Sequence, residues 1–372
     1  MKNLPRGIIL IACFLASGSV LATPINEIVV FGDSLSDSGN LFLASRADSA
    51  LLPDPPPPYS NGRQSNGSIW VEKLAERLTV ANPDPSLAGG NNYAYAGATT
   101  GTGLRPRSSL VYRDLDGDPG TNDPQIQVVP RIATQIDNYL ANTGTFRDDQ
   151  LVVLWAGAND LLEIMLEVGA GALNPADPTA VSARVDQVIN VNMKTHLEQL
   201  EDSGAIRIMV PNQVDASHAP IWSNPASPLA SPEAEALMHQ LVLLFNARLD
   251  AMIADSGFSA DIIEVDMFTA FEDLLSDPAA IGLVNTTDPA ISSGLSPDGF
   301  LFWDVIHPTT VVHSLIAEAA ARAIPEPSSL VLIGLGLMGL RRNIHMTSTI
   351  NQKSDEVARR DLLQAALKSV SA

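Results

Sequence analysis

Cysteine is nearly missing from the chain: the only one among 372 residues is Cys13. Without a second cysteine there is no internal disulfide, and with none in the body of the chain there is neither a catalytic thiol nor a cysteine-ligated zinc. Any nucleophilic chemistry falls to Ser, Thr, Asp, Glu or Lys. Positive charge is also scarce, with 22 Lys and Arg against 42 Asp and Glu and a formal charge of −20. A chain so acidic is not recruited electrostatically to nucleic acid or to an anionic lipid surface, whereas neutral and zwitterionic substrates stay open. No apolar run reaches the roughly 20 residues needed to span a bilayer. No internal repeat is visible, and no domain linker precedes residue 325.

The apolar fraction of 45% allows a sizeable core. Residues 1–22 have the order of an export signal, with Lys2 and Arg6 first, apolar Gly7 to Leu15 next, and small-residue Val20-Leu21-Ala22 last. Cleavage after Ala22 would remove Cys13. Beyond it, short apolar runs alternate with helical patterns. Runs begin at Ile28, Leu151, Ile206 and Ile262, and a shorter one lies at Asn92-Tyr93-Ala94. Helices are expected over 69–80, 129–141, 180–201, 232–254 and 308–323. This alternation indicates βαβ units around a parallel sheet covered on both faces.

In an open sheet of this kind the ligand crevice lies outside the carboxyl ends of the strands. Two strand ends and one helix start carry chemistry. Gly32-Asp33-Ser34-Leu35 puts a serine just past the first run. There Asp33 and Asp37 would also serve as turn and helix-cap residues. Gly157-Ala158-Asn159-Asp160 follows the second, with Asp160 read as a structural partner of its turn. Asp304 and His307, three apart and just before a helix that Pro308 would open, are placed to face one crevice. Small residues around Gly97 let a backbone N–H approach a ligand. The remaining histidines (His196, His218, His239, His313, His345) show no such pairing and no metal-ligand spacing, and read as surface or core residues. Pro53 to Tyr59 reads as a stiff surface loop. The acidic stretch 114–123 has carboxylates at 114, 116 and 118. It lacks the glycine and bidentate glutamate of an EF-hand loop, so a solvated turn is expected there.

These four pieces, Gly32-Asp33-Ser34-Leu35, Gly97, Gly157-Ala158-Asn159-Asp160 and Asp304-Val305-Ile306-His307, resemble the signature blocks of the GDSL, or SGNH, hydrolases. The flanks Ser36-Asp37-Ser38-Gly39-Asn40, Asn92-Tyr93-Ala94 and Phe302-Trp303 look like the secreted lipase and esterase branch. The likeness spans roughly residues 27–324. It implies a three-layer α/β/α, flavodoxin-like fold with a parallel sheet of about five strands. It also implies Ser34 as nucleophile, His307 as base and Asp304 as the carboxylate that orients it. The oxyanion hole would come from the N–H groups of Ser34 and Gly97 and the Asn159 side chain. No cofactor or metal is implied. The G-x-S-x-G elbow of the α/β-hydrolases is absent.

Ile324-Pro325-Glu326-Pro327, apolar Leu330 to Leu340 and basic Arg341-Arg342 resemble a PEP-CTERM sorting signal, implying export and envelope sorting machinery as a partner. The expected organisation is a signal at 1–22, a hydrolase domain at 23–324, a sorting segment at 325–342 and a polar extension at 343–372. The expected activity is secreted ester hydrolysis through an acyl-enzyme, on small-molecule or lipid esters or on acylated polysaccharide. Acyl transfer through the same intermediate, or a surface protein that only binds, are the alternatives.

Overall fold

The computed structural model describes residues 23–47, 53–106, 128–225 and 227–325. The proposed export signal, the acidic stretch 114–123 and the segments from 326 onward lie outside the described residues. Ile25 to Ile324 form one compact unit.

In chain order, the strands are β1 (Glu27–Gly32), β2 (Leu104–Pro106), β3 (Val128–Pro130), β4 (Gln150–Trp155), β5 (Arg207–Pro211), β6 (Asp261–Val265), β7 (Asn285–Pro289) and β8 (Phe300–Phe302). The helices are α1 (Asn40–Ala47), α2 (Trp70–Leu78), α3 (Ile132–Thr143), α4 (Ala158–Gly169), α5 (Pro178–Asp186), α6 (Lys194–Asp202), α7 (Pro232–Ser256), α8 (Met267–Ser276) and α9 (Thr310–Ala323). The stretch expected as one helix over 180–201 is α5 and α6 joined by a π-helical segment, Gln187–Met193. Val128–Pro130 is strand, and helix begins only at Ile132. Pro308 stays outside α9, bridging to Phe302, and Thr309 takes the N-cap position.

The main sheet has four parallel strands in the order β1-β4-β5-β6. The expectation of about five strands is corrected here. The fifth is the segment 91–95, which runs beside β1 with Tyr93 N–H donating to Val30 O (2.8 Å) and Tyr95 N–H to Gly32 O (3.2 Å). Only one residue pair, Val30 with Asn92, meets the requirements of a ladder. The Asn92 side chain explains the irregularity. Its amide donates to Ser36 O (2.6 Å) and its oxygen accepts from Ala94 N–H (2.9 Å), so the segment bends where a strand would continue.

Side chains alternate across the pleat and sort the core into two. Val29, Phe31, Val152, Leu154, Ile208 and Val210 face one layer, packed against α3, α4, α6 and α7. Ile28, Val30, Leu151, Val153, Met209 and Ile263 face the other, packed against Trp70 and Leu74 of α2 and Ala317 and Ala320 of α9. Burial on both faces accounts for the unbroken apolar runs in β1 and β4. The result is a three-layer α/β/α domain in which the carboxyl ends of β1 and β4 lie side by side, Gly32 paired with Trp155. Those two ends carry Ser34 and Asn159.

Candidate active site

β1 stops abruptly because Gln135 clamps its last residue. Gly32 N–H donates to Gln135 Oε1 (3.0 Å), and Gln135 Nε2 donates back to Gly32 O (2.9 Å). A Cβ at Gly32 would stand 2.8 Å from Trp155 O, so only glycine fits between the two strand ends. The chain then turns on Asp33, whose Oδ1 accepts from Leu35 N–H at 3.1 Å. This leaves Ser34 half-buried at the turn. Asp37 caps α1, accepting from the N–H groups of Gly39, Asn40 and Leu41. The capping role foreseen for these aspartates is therefore real and coexists with a half-buried serine at the turn.

At the second strand end Gly157 has φ +120°, and a Cβ there would meet the Phe245 ring at 2.4 Å. The chain reverses at once into α4, so Asn159 falls in the first helical turn beside Asp33, its Nδ2 3.4 Å from Asp33 Oδ2. Asp160 on the same turn accepts from the Thr100 N–H (3.0 Å) and hydroxyl (2.7 Å), tying α4 to the loop after Gly97. Its reading as a structural residue agrees with these bonds.

The loop after β8 places the third group. Asp304, fully buried, spends Oδ1 on the N–H groups of Ile306 (2.8 Å) and His307 (2.7 Å). Its Oδ2 faces His307 Nδ1 at 2.7 Å. One carboxylate oxygen thus folds the turn while the other holds the imidazole, which is why three-residue spacing suffices. That contact makes Nδ1 the protonated nitrogen and leaves Nε2 as the basic one.

Ser34, Asn159 and His307 line a single cleft of about 1050 Å³, its open mouth included. Its walls are apolar, with Leu162, Ile221, Trp222, Met238, Phe302 and Ile316 among them. Gly97 is buried at φ +85° but is not among the residues lining the cleft. Its carbonyl accepts from Arg105 Nη1, and Arg105 Nε also donates to Glu163 Oε1 at 2.7 Å.

Electrostatically the cleft is unusual at Asp33, whose carboxyl burial pushes up to about 6, with the Leu35 N–H and the facing His307 pulling it down. Burial likewise pushes Asp37 and Asp160 to about 6. His313 goes the other way, down to about 3 through burial, and its Nδ1 accepts from Trp70 N–H, so it is a neutral core residue.

Several residues of this site were not legible beforehand. Tyr59 hydroxyl donates to Asp304 Oδ2 at 2.7 Å, and its ring meets Trp303 edge-on. The proline-rich stretch therefore is not only a surface loop. It ends in a buried phenol, and the sequence signal was a tyrosine closing a stiff run. Gln213 lines the cleft and donates to Ala156 O at 2.9 Å. Arg105 gave no signal. His218 and His239 do have a shared partner after all, Asp215, which lies 3.7 Å from one and 2.5 Å from the other. Their 21-residue separation hid this. β5 ends just before Asp215 and α7 carries His239 back across it.

The chain is 27% identical to a phosphatidylcholine-sterol acyltransferase of Aeromonas hydrophila over 80% of its own length and 89% of the relative's. It is 28% identical to a thermolabile hemolysin of Vibrio parahaemolyticus over 79% of its length and 62% of that protein. A GDSL esterase/lipase of Arabidopsis thaliana is 25% identical over 79% and 87%. A crystal structure of phospholipase A1 from Streptomyces albidoflavus overlaps with a TM-score of 0.42 at 13% identity, covering 81% of this chain and all of that one. Residues 323–343 match the PEP-CTERM protein-sorting motif, which indicates export and surface sorting. Among the described residues no helix is long and apolar enough to cross a membrane. Residues 28–320 match the model of the GDSL-like lipases and acylhydrolases, and the chain belongs to that family of ester hydrolases.

Proposed function

We propose that residues 23–324 form the catalytic domain and that Ser34 attacks the ester carbonyl as His307 Nε2 takes its proton. Asp304 keeps the imidazole in the required tautomer and stabilises the imidazolium. The oxygen of the tetrahedral intermediate is met by the N–H groups of Ser34 and Gly97 and by Asn159 Nδ2, with Asp33 orienting that amide. Collapse expels the alcohol, which takes the proton from His307. Water, activated by the same imidazole, then releases the acid and restores Ser34. The segments 1–22 and 325–342 act as export and sorting signals, and 343–372 is a separate extension.

The observation that carries this reading is the convergence of Ser34, Asn159 and His307 on one apolar cleft, with a buried carboxylate behind the histidine. The same cleft favours an acyl chain over a sugar. Burying apolar surface contributes about 25 cal/mol per Å², whereas sugar hydroxyls would meet few partners along walls built of Leu, Ile, Trp, Met and Phe. Lipid-like carboxylic esters are the proposed substrates. Acyl transfer to an alcohol is a second reading, favoured by the name of the Aeromonas relative.

The test is hydrolysis of a p-nitrophenyl acyl series by the wild-type chain beside Ser34→Ala. Loss of activity in the variant, rates that rise with chain length, and fluorophosphonate labelling of Ser34 in the wild type support the proposal. Unchanged activity in the variant would remove Ser34 from the chemistry. Product appearing only when an acceptor alcohol is supplied would select acyl transfer.

A further inference from the structure

Away from the serine chemistry, a second group of chemically competent side chains comes together beside the same cleft. Asp215 ends the segment after β5 and caps the short turn Ala216–His218, its Oδ1 accepting from Ser217 N–H at 3.1 Å. The turn swings His218 back so that its Nε2 stands 3.7 Å from Asp215 Oδ2. From α8, Glu272 brings Oε1 to 3.5 Å from the same Nε2. One ligand atom from each of the three residues lies within 4.8 Å of the others. From α7, His239 Nδ1 sits 2.5 Å from Asp215 Oδ2.

We propose that Asp215, His218 and Glu272 form a binding site for a zinc-class divalent ion that joins α8 to the turn after β5. The spacing is the first argument. Donors around a tetrahedral ion at about 2.0–2.1 Å stand roughly 3.3–3.5 Å apart, close to the 3.5 and 3.7 Å found here. The donor set is the second. One imidazole with two carboxylates suits a borderline transition ion, whereas calcium takes six to eight oxygens. Two carboxylates and a neutral imidazole also balance a charge of +2, leaving a fourth position for water. Third, the ligand that is buried is itself held. His239 and the Ser217 N–H fix both oxygens of Asp215, the kind of support that ordinarily orients a metal ligand.

The position gives the ion a consequence. Asp215 and Phe271, the residue before Glu272, both line the apolar cleft. An ion shared by Asp215 and Glu272 would tie together two walls of that cleft, which the backbone connects only by way of α7 and β6. His239 acts here as a positioning residue for Asp215.

The experiment is calorimetric titration of the metal-stripped full chain with zinc chloride alone, beside His218→Ala, Glu272→Gln and His239→Ala. Thermal melts of the same four proteins with and without zinc accompany it. The expected result is one zinc per chain at micromolar or tighter affinity. His218→Ala and Glu272→Gln should weaken it more than tenfold. His239→Ala should weaken it roughly 10- to 100-fold, the usual cost of losing a partner that orients a ligand. Zinc should raise the melting midpoint of the wild type and not that of the first two variants. His218 and Glu272 are both partly exposed, so these variants should fold, and hydrolysis of a short ester by them reports that they have. Absence of zinc binding to the wild type at micromolar concentrations would overturn the proposal, leaving His218 simply packed beside two carboxylates. Equal binding by wild type, His218→Ala and Glu272→Gln would place the ion elsewhere and overturn it as well.

Discussion

Replacing Asp304 by Asn separates the two jobs of one side chain. Oδ1 accepts from two backbone N–H groups, Ile306 and His307, while Oδ2 accepts from the Tyr59 hydroxyl and from His307 Nδ1. An asparagine must keep its carbonyl oxygen on the two backbone donors, because its NH2 group would otherwise confront them. The NH2 then points at Tyr59 and His307, both of which donate in the wild type. The phenol rotates and accepts at little cost. The imidazole answers only by moving its proton from Nδ1 to Nε2, and a protonated Nε2 takes no proton from Ser34. The expected loss in kcat is about 10⁴-fold, the size seen when the equivalent exchange inverts the tautomer in a serine protease, or about 5 kcal/mol. The turn itself keeps its two backbone bonds, so the urea midpoint should fall far less than in Asp304→Ala, which loses all four. The assay is steady-state hydrolysis of a short p-nitrophenyl ester, with denaturant unfolding of both variants. A kcat within tenfold of wild type for a folded Asp304→Asn would refute the assignment of His307 as the base held by Asp304.

Other outcomes follow from the same geometry. Asn159→Ala should lower kcat roughly 10²–10³-fold with little change in KM, since an oxyanion donor acts in the transition state; an unchanged kcat would remove Asn159 from the site. Gly157→Ala places a Cβ 2.4 Å from the Phe245 ring at φ +120°, and urea unfolding should show a loss of about 2–4 kcal/mol from overpacking and backbone strain together. Asp160 carries a carboxyl raised by burial to about 6, so the folded chain holds a proton that the unfolded chain has already released. Its contribution to stability is full below the unfolded value of 3.8 and is lost as pH rises through about 6. Asp160→Asn cannot ionise and keeps an acceptor for Thr100. Its stability relative to wild type should therefore improve between about pH 4 and pH 7, by up to about 3 kcal/mol. A difference independent of pH in paired denaturant curves would contradict this.

What the sequence determined by itself is what short-range chemistry encodes. The unbroken apolar runs of β1 and β4 announce strands buried on both faces, and a parallel sheet follows from helices lying between them. Asp304 and His307 are legible because a single turn is enough to fold the imidazole over the carboxylate. Ser34 and Asn159 are legible because each stands two residues past a glycine, Gly32 or Gly157, that lies at or just beyond the end of a strand. The four-strand count was not legible. The bend at 92–94 depends on where the Asn92 side chain finds Ser36, fifty-six residues away. Tyr59 reaches Asp304 across 245 residues, Arg105 takes hold of the Gly97 carbonyl from β2, and His218 and His239 meet at Asp215 while Glu272 reaches His218 from α8. No local pattern carries such contacts, because they are set by which helix packs over which strand. Tertiary structure alone decided them, and with them the supports of the candidate serine site and of the candidate ion site beside it.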